Sequence, residues 1–320
     1  MPSQNRLFLD VQSSLQGRPW RDRLDLDAQG RAQAMVQLHG HSDMLARVLA
    51  GRGVAPEDVA SFLEPTLRTL MPDPDVMQDM EAGVARIARA IEKGETVAIF
   101  GDYDVDGASS SALMGSYFED CGTPYIIHIP DRIFEGYGPN VDAIRALADK
   151  GATLLVSVDC GTVSFEPFAE AKKLGMDVVV IDHHQAPEVL PEVAGLINPN
   201  RQDDLSGLGT LCATGVAFMV LVALNRYLRR KNFWTDKRRE PDLMSRLDLV
   251  ALATVADVVP LTGLNRAFVM RGLTVMRARS RPGLRALFDV ASAGGPPSSY
   301  HLGYLIGPRI NAGGRIGDAA

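Results

Sequence analysis

The sequence predicts an α/β protein: a parallel sheet with helices on both faces, followed by a helical region. Three observations predict it. Between residues 96 and 181, short β-branched runs alternate with helical patterns. Those runs are apolar throughout, as in strands buried on both faces. Two of the intervening helical stretches end at a glycine, Gly151 and Gly175.

Taken in order, residues 1–80 read as a partly helical lead-in. Ala55-Pro56-Glu57-Asp58 is a helix-start signal, and Met71-Pro72-Asp73-Pro74 breaks what precedes it. Residues 79–93 carry Met80, Val84, Ile87 and Ile91 at helical spacing, closed by Gly94. Strands follow at 96–100 (TVAIF), 125–129, 153–158 (TLLVSV) and 177–181 (DVVVI), with helices at 107–120, 141–150 and 165–174. Beyond Gly209 the strand signals fade, and 209–230, 243–255 and 265–279 read as helices. The main domain is thus expected over 81–290. Residues 291–320 read as a linker (SAGGPPSS, 292–299) and the start of a substrate-binding segment. No internal repeat is visible.

Composition narrows the class. The 320 residues are 46% hydrophobic and 22% charged, which excludes a wholly disordered chain, a collagen or a coiled coil. The most apolar run, 211–224, falls short of the roughly 20 residues of a membrane span. Thr214 and Gly215 interrupt it, and it reads as a buried helix. The opening MPSQNRLFLD lacks the apolar core of a signal peptide. Cys121, Cys160 and Cys212 are too far apart for a disulfide framework or a zinc site, so a cytoplasmic protein is expected. Net charge is 33 minus 39, or −6. A polyanionic substrate would therefore need local basic patches or metal ions to hold it.

Chemistry-bearing residues gather at the strand ends. GDYDVDG, with Asp102, Asp104 and Asp106, follows the first strand. Asp159-Cys160-Gly161-Thr162 follows the third, and Asp182-His183-His184 the fourth. In a parallel sheet all three ends share one edge, where ligands bind. That brings five carboxylates and two imidazoles to one crevice, a repulsive set that divalent cations relieve. Carboxylates mixed with imidazoles suit manganese, magnesium or zinc. Any one of these aspartates alone is as well explained as a helix cap. A DxDxDG calcium loop would need a glutamate six residues after its glycine, where Leu113 stands. The recurrence at three strand ends is what singles out a metal site. Asp257, ending the apolar run in ATVADVVPL (253–261), is a further candidate ligand.

In these four motifs, GDYDVDG, VSVDCG, IDHH and ATVADVVPL, the chain resembles the DHH phosphoesterase superfamily. IPDRIFEGYGPN (129–140), LINPNRQDD (196–204), GLGTLCATGVAF (207–218) and GPRINAGGRIGDA (307–319) resemble its RecJ family of single-stranded-DNA-specific 5′→3′ exonucleases. The resemblance implies two manganese or magnesium ions held by Asp104, Asp106, Asp159, His183 and Asp257, with Asp159 as the bridge. Asp102 would supply a ligand that other branches take from a histidine at the position of Phe100. Asp182 would orient His183, and His184 would face the scissile phosphate. Such an ion pair, roughly 3.5–4 Å apart, activates water and clamps a phosphodiester for in-line attack. Arg309, Asn311 and Arg315 would hold substrate phosphate, with Arg132 and Tyr137 as weaker candidates. Without the resemblance, 307–319 reads as a solvated Gly-rich loop. The family pattern there is NAAGR, and this chain has Gly313 at the second alanine.

The family also implies DHHA1 and OB-fold domains beyond residue 320, and hence a truncated chain. The basic stretches 226–239 and 271–285 read equally as strand-gripping surfaces or as solvated helix faces. Three alternatives stay open. One is a phosphodiesterase for short oligonucleotides or cyclic dinucleotides, another a non-catalytic scaffold, and the third a pyrophosphatase. Single-stranded DNA is the expected partner, with no membrane involved.

Overall fold

The computed structural model describes residues 7–316, so the last three residues of the GPRINAGGRIGDA segment, 317–319, lie outside it. The chain divides into two compact units, Met1–Thr69 and Leu70–Ala320. Helices α1 (Leu26–His39), α2 (Asp43–Ala50) and α3 (Val59–Leu63) make the first. The Asp25 carboxylate caps α1 by accepting from the Ala28 amide at 2.7 Å, and Ser42 caps α2. Met35, Ala46, Leu49 and Val59 form its core. One turn, α4 (Leu67–Leu70), stands at the division.

The second unit begins with α5 (Met80–Lys93), β1 (Thr96–Gly101), α6 (Val105–Cys121) and β2 (Tyr125–His128). Then come α7 (Val141–Asp149), β3 (Ala152–Val158), α8 (Phe165–Lys173), β4 (Asp177–Ile181) and β5 (Gly195–Ile197). The five strands are parallel in the order β2-β1-β3-β4-β5. Ala98, Phe100, Leu155, Val178 and Val180 share a core with Ile144 of α7 and Phe168 of α8. The alternate residues Val97, Ile99, Val156 and Val179 are just as buried on the other face. There Gly83 of α5 lets the helix close on Val179 and Ile197. The expected α/β architecture is therefore present, with helices on both faces.

The helical region comprises α9 (Ala213–Arg230), α10 (Leu247–Ala256), α11 (Gly263–Met276) and α12 (Pro282–Val290). A π-helical turn, His301–Ile306, then runs into α13 (Gly307–Ile316). Among the described residues no helix is long and apolar enough to cross a membrane.

Several elements differ from expectation. β5 has only three residues, too few for any periodicity to register. α12 was hidden in a basic stretch, although Pro282 stands at its first turn. Residues 70–80, read as the end of the lead-in, pack in the second unit. Asp79 there accepts from the Leu196 amide at 3.1 Å and pairs with Arg201 at 2.6 Å. The Gly-rich segment read as a loop is helix α13. Its Gly314 serves close packing, since a Cβ there would lie 2.3 Å from the Tyr103 carbonyl oxygen. A Cβ at Gly313 would meet nothing within 4 Å, so the departure from NAAGR leaves the packing untouched.

The strand order positions the site. From β1 the chain moves outward to β2, then crosses back over β1 to β3. The carboxyl ends of β1 and β3 thus flank the topological switch point, where open α/β sheets leave a crevice.

Close helix packing in the same unit is testable. A Cβ at Gly272 of α11 would fall 2.2 Å from the Leu247 carbonyl oxygen and 2.4 Å from Ala251 Cβ. Gly272→Ala is expected to destabilise by about 2–3 kcal/mol through overpacking. Gly313→Ala is expected to be neutral or to stabilise by up to about 1 kcal/mol, through helix propensity. Denaturant midpoints of the two variants check both.

Candidate metal centre

At the end of β1 the chain enters α6 through Asp104, whose Oδ1 accepts from the amides of Asp106 (2.8 Å) and Gly107 (3.0 Å). Asp104 is thus an N-cap whose second oxygen is left free. Gly107 is required by closeness, because a Cβ there would sit 2.3 Å from the Asp102 carbonyl oxygen. Asp106, two residues further on in the first turn of α6, is buried. Its Oδ2 accepts from the Ala213 amide (2.6 Å), and its Oδ1 from the Thr214 amide (2.8 Å) and Thr214 Oγ1 (2.6 Å). The start of α9 therefore supplies the positive end of a helix dipole to this carboxylate.

Asp159 follows β3 with φ at 61°, the left-handed region that non-glycine residues seldom adopt. Both of its backbone groups are pinned: its amide donates to Ile181 O (3.0 Å) and its carbonyl accepts from Tyr137 Oη (3.3 Å). That backbone cost, of order 1–3 kcal/mol, is sustained by the surrounding hydrogen bonds. Asp159 Oδ1 and Asp102 Oδ1 are buried with no hydrogen-bond partner.

His183 closes the group from the end of β4. A carbonyl can only accept, so the Leu211 oxygen at 3.1 Å fixes the proton on His183 Nδ1. Nε2 is then the ligand-capable nitrogen, 3.3 Å from Asp159 Oδ1 and 3.7 Å from Asp106 Oδ2. Asp257 arrives from the end of α10, its Oδ2 3.8 Å from His183 Nδ1. Potential ligand atoms fall into three groups, each within 4.8 Å: Asp102–Asp104–Asp159, Asp106–His183–Asp257 and Asp159–His183–His184. All the candidate ligands named from the sequence are therefore brought together.

The electrostatics follow from burial. Burial, aided by Asp104, pushes Asp102 up to about 6. Burial and the neighbouring Asp106 raise Asp257 to about 6 as well. Burial, then Asp106 and Asp104, hold Asp159 well above the usual carboxylate range. Burial also raises Asp106, against the pull of His183 and Thr214. Four carboxyl groups thus resist ionisation together. Two buried orphan oxygens among hard oxygen donors, with one imidazole, fit hard divalent cations such as manganese or magnesium.

Asp182 was expected to orient His183; its side chain pairs with His184 instead. Its Oδ1 lies 2.8 Å from His184 Nδ1, and its Oδ2 accepts from Thr162 Oγ1 (2.6 Å) and the Thr162 amide (3.1 Å). Burial alone would raise Asp182, but the bonds from His184, Thr162 and the His183 amide outweigh it and bring it to about 2. The same bond raises His184, favouring its cation. About half of the His184 side chain remains exposed. Three supporting residues lie in segments singled out by the family resemblance (196–204 and 207–218) but were given no role there. Asn198 donates to Thr162 Oγ1 (2.9 Å) and His184 O (2.8 Å), Asn200 to Gly209 O (3.1 Å), and Thr214 to Asp106. Both asparagines follow β5, the strand that periodicity missed.

The proposed phosphate-holding residues divide. Asn311 Oδ1 accepts from the Val105 amide at 2.9 Å, so it anchors the start of α6. Arg309 is exposed and donates to Leu305 O at 2.7 Å; Arg315 is exposed. Arg132 lies over the Tyr103 ring at 5.1 Å, and Tyr137 meets the edge of His184 with centroids 6.2 Å apart. Much of the two basic stretches is committed locally: Arg226 to Asp73 and Asp75, Arg229 to Glu240, Arg279 to Asp289 and Arg281 to Asp248.

Residues 96–254 match the family model described as DHH family, N-terminal domain. The chain belongs to the DHH family. This DHH chain is 37% identical over 280 residues to the single-stranded-DNA-specific exonuclease RecJ of Salmonella typhimurium, aligning 86% of itself with 48% of that protein. It is 34% identical to RecJ of Bacillus subtilis, over 88% of this chain and 34% of that one. The chain spans about half the length or less of these curated relatives. A crystal structure of exonuclease RecJ bound to manganese superposes with a TM-score of 0.67 at 31% identity, covering 78% of this chain and 60% of that one. RecJ of Thermus thermophilus in complex with Mn2+ gives 0.73 at 26% identity, covering 91% and 40%.

The raised carboxyls make a signed prediction for the DHH site. Asp102 and Asp257 bind protons in the folded state up to about pH 6, but only to about 3.8 when unfolded. The metal-free protein should therefore lose stability as pH rises from about 4 through 6. Asp182 works oppositely but lower, its contribution being lost only as pH falls towards 2. A divalent cation bound among these carboxyls would take the place of those protons. Chelator is thus expected to lower the Tm of manganese-loaded protein more at about pH 7.5 than at about pH 5, and calorimetry near pH 6 should detect proton release on binding. Equal Tm shifts at both pH values would contradict this.

Proposed function

We propose that this chain is the catalytic part of a single-stranded-DNA-specific 5′→3′ exonuclease, a cytoplasmic phosphodiester hydrolase serving DNA repair and recombination. The observation that carries the reading is the pair of buried, unpartnered carboxylate oxygens of Asp102 and Asp159 amid four carboxyls with raised pKa. The likeness to RecJ proteins runs far beyond residues 96–254 and supports it.

Asp104, Asp106, Asp159, His183 and Asp257 would hold two divalent ions, Mn2+ or Mg2+, with Asp102 as an added donor. Asp159 and His183 each belong to two of the three ligand groups, and of the two Asp159 suits the shared position, because a carboxylate has two oxygens to share while His183 Nδ1 is engaged by Leu211 O. Bound there, the ions supply charge neutralisation and a lowered pKa for water. The chain's own residues do the rest. Asp182 occupies His184 Nδ1, leaving Nε2–H as a donor to a non-bridging phosphate oxygen, where charge develops in the transition state. Thr162 and Asn198 keep Asp182 and the His184 backbone in place. Arg309 and Arg315 offer guanidinium groups to further phosphates.

Asp159→Ala is expected to abolish manganese-dependent hydrolysis while circular dichroism stays native-like; more than a few per cent of residual activity would remove it from the shared position. His184→Ala is expected to keep manganese affinity by calorimetry but to slow turnover by roughly 10²–10³. Loss of manganese binding in that variant would make His184 a ligand instead.

Substrate class has its own test. End-labelled single strands, matching duplexes and a cyclic dinucleotide are digested with manganese. Release of 5′-mononucleotides from the 5′ end of single strands is expected, with duplex and cyclic substrates spared. Preferential cleavage of the cyclic dinucleotide would replace the exonuclease reading with that of a small-substrate phosphodiesterase.

A further inference from the structure

The first unit, Met1–Thr69, has no part in the chemistry above, yet it carries a cavity of about 370 Å³ rimmed by Arg21, Arg23, Arg47 and Arg52. Leu24, Val48 and Phe8 are its apolar lining, of which Leu24 is buried. A Cβ at Gly51 would touch Leu24 Cδ2 at 3.1 Å and crowd that lining.

Charge in the cavity is unbalanced. Asp22 is the one acidic residue in the lining, against four guanidinium groups. It is already shared, with Arg47 at 3.5 Å, Gln29 Nε2 at 3.4 Å and the Leu24 amide at 3.0 Å. Arg47 also lies 5.8 Å above the Phe8 ring. Arg23 and Arg52 are exposed and form no ion pair among the described residues. Phe8 lies opposite Trp20 beside the isolated Leu7–Arg21 bridge: the Phe8 amide donates to Trp20 O at 2.8 Å, and Trp20, 49% exposed, precedes the lining residue Arg21.

The positive charge of this unit is all arginine: residues 1–69 hold eight arginines and no lysine. Arginine pairs with phosphate through two parallel donors and stacks on flat rings, which lysine cannot do. A basic groove with exposed aromatic rings beside it is the combination that grips a single strand, phosphates on the cations and bases on the rings. A duplex hides its base faces and gains nothing from Phe8 and Trp20.

We propose that this cavity is a second binding site for single-stranded nucleic acid, separate in function from the metal centre. Arg23 and Arg52 take backbone phosphates, and Phe8 and Trp20 offer faces to unstacked bases. The inference deepens the exonuclease reading and rests on it for the choice of DNA as ligand. The chain as a whole carries a charge of −6, so affinity for a polyanion has to come from local basic sites such as this one.

The test uses the whole 320-residue chain and a labelled oligodeoxythymidylate, in EDTA so that no cleavage occurs. Binding is followed by fluorescence anisotropy across a salt series. The charge-reversed double variant Arg23→Glu/Arg52→Glu is expected to bind about tenfold more weakly or worse. Its salt dependence should fall by about 1.4 in log–log slope, the value for two lost contacts on a single strand. Trp20→Ala should weaken single-strand binding several-fold while leaving its salt slope unchanged. In the unaltered chain, the oligonucleotide should protect residues 18–24 and 47–52 from hydrogen exchange, and an equal-length duplex should not. Unchanged affinity in the double variant, or no protection of those segments, would overturn the proposal. Because cleavage is silenced, absence of nuclease activity would sink the exonuclease reading alone, and loss of binding in the variants would still stand.

Discussion

Crowding like charges in a place that water barely reaches is the constraint on which the rest of this structure depends. Asp102, Asp106 and Asp159 are all buried, and Asp104 and Asp257 lie beside them. Without counter-charge, each makes its neighbours harder to ionise. The fold answers with what backbone it has. The start of α6 binds one oxygen of Asp104, and the start of α9 binds both oxygens of Asp106. Nothing comparable reaches Asp102 Oδ1 or Asp159 Oδ1, and those are the atoms a divalent cation would serve. The cluster is thus stable in proportion to what binds it, which is why pH and metal removal should act together.

A contrast within a few residues shows how far environment sets chemistry. Asp182 and Asp159 stand at the ends of adjacent strands and are both almost wholly buried. Asp182, met by Thr162, His184 and the His183 amide, is held at about 2. Asp159, whose burial no hydrogen bond to its Oδ1 offsets and whose neighbours are other carboxylates, moves far the other way. One is a permanent anion that orients a donor; the other waits for a cation. The helical region is essential to this arrangement. α9 caps Asp106, the Leu211 carbonyl sets the tautomer of His183, and α13 anchors the first residue of α6 through Asn311.

Much of this was legible in the chain itself. The β-branched runs, apolar on both faces, determined a buried parallel sheet, and the aspartates and histidines at three run ends determined which edge would be charged. These are local signals, carried by residues within one strand and the turn that follows it. What lay beyond them depends on contacts between distant residues. The strand order, and with it the switch point between β1 and β3, follows from how the helices pack. The cap on Asp106 comes from residues 107 and 108 positions away, and the anchor on Val105 from one 206 positions away. Asp182 chose His184 over His183 because the turn after β4 points His183 Nδ1 at Leu211. The segment of α13 read as loop because it is rich in glycine, and the reason for one of them, the nearness of Gly314 to Tyr103, exists only once the helix is docked. Sequence alone determined which groups would meet at the sheet edge; tertiary structure decided which of them are satisfied by protein and which are left for a cation, because that depends on backbone donors arriving from elements far along the chain.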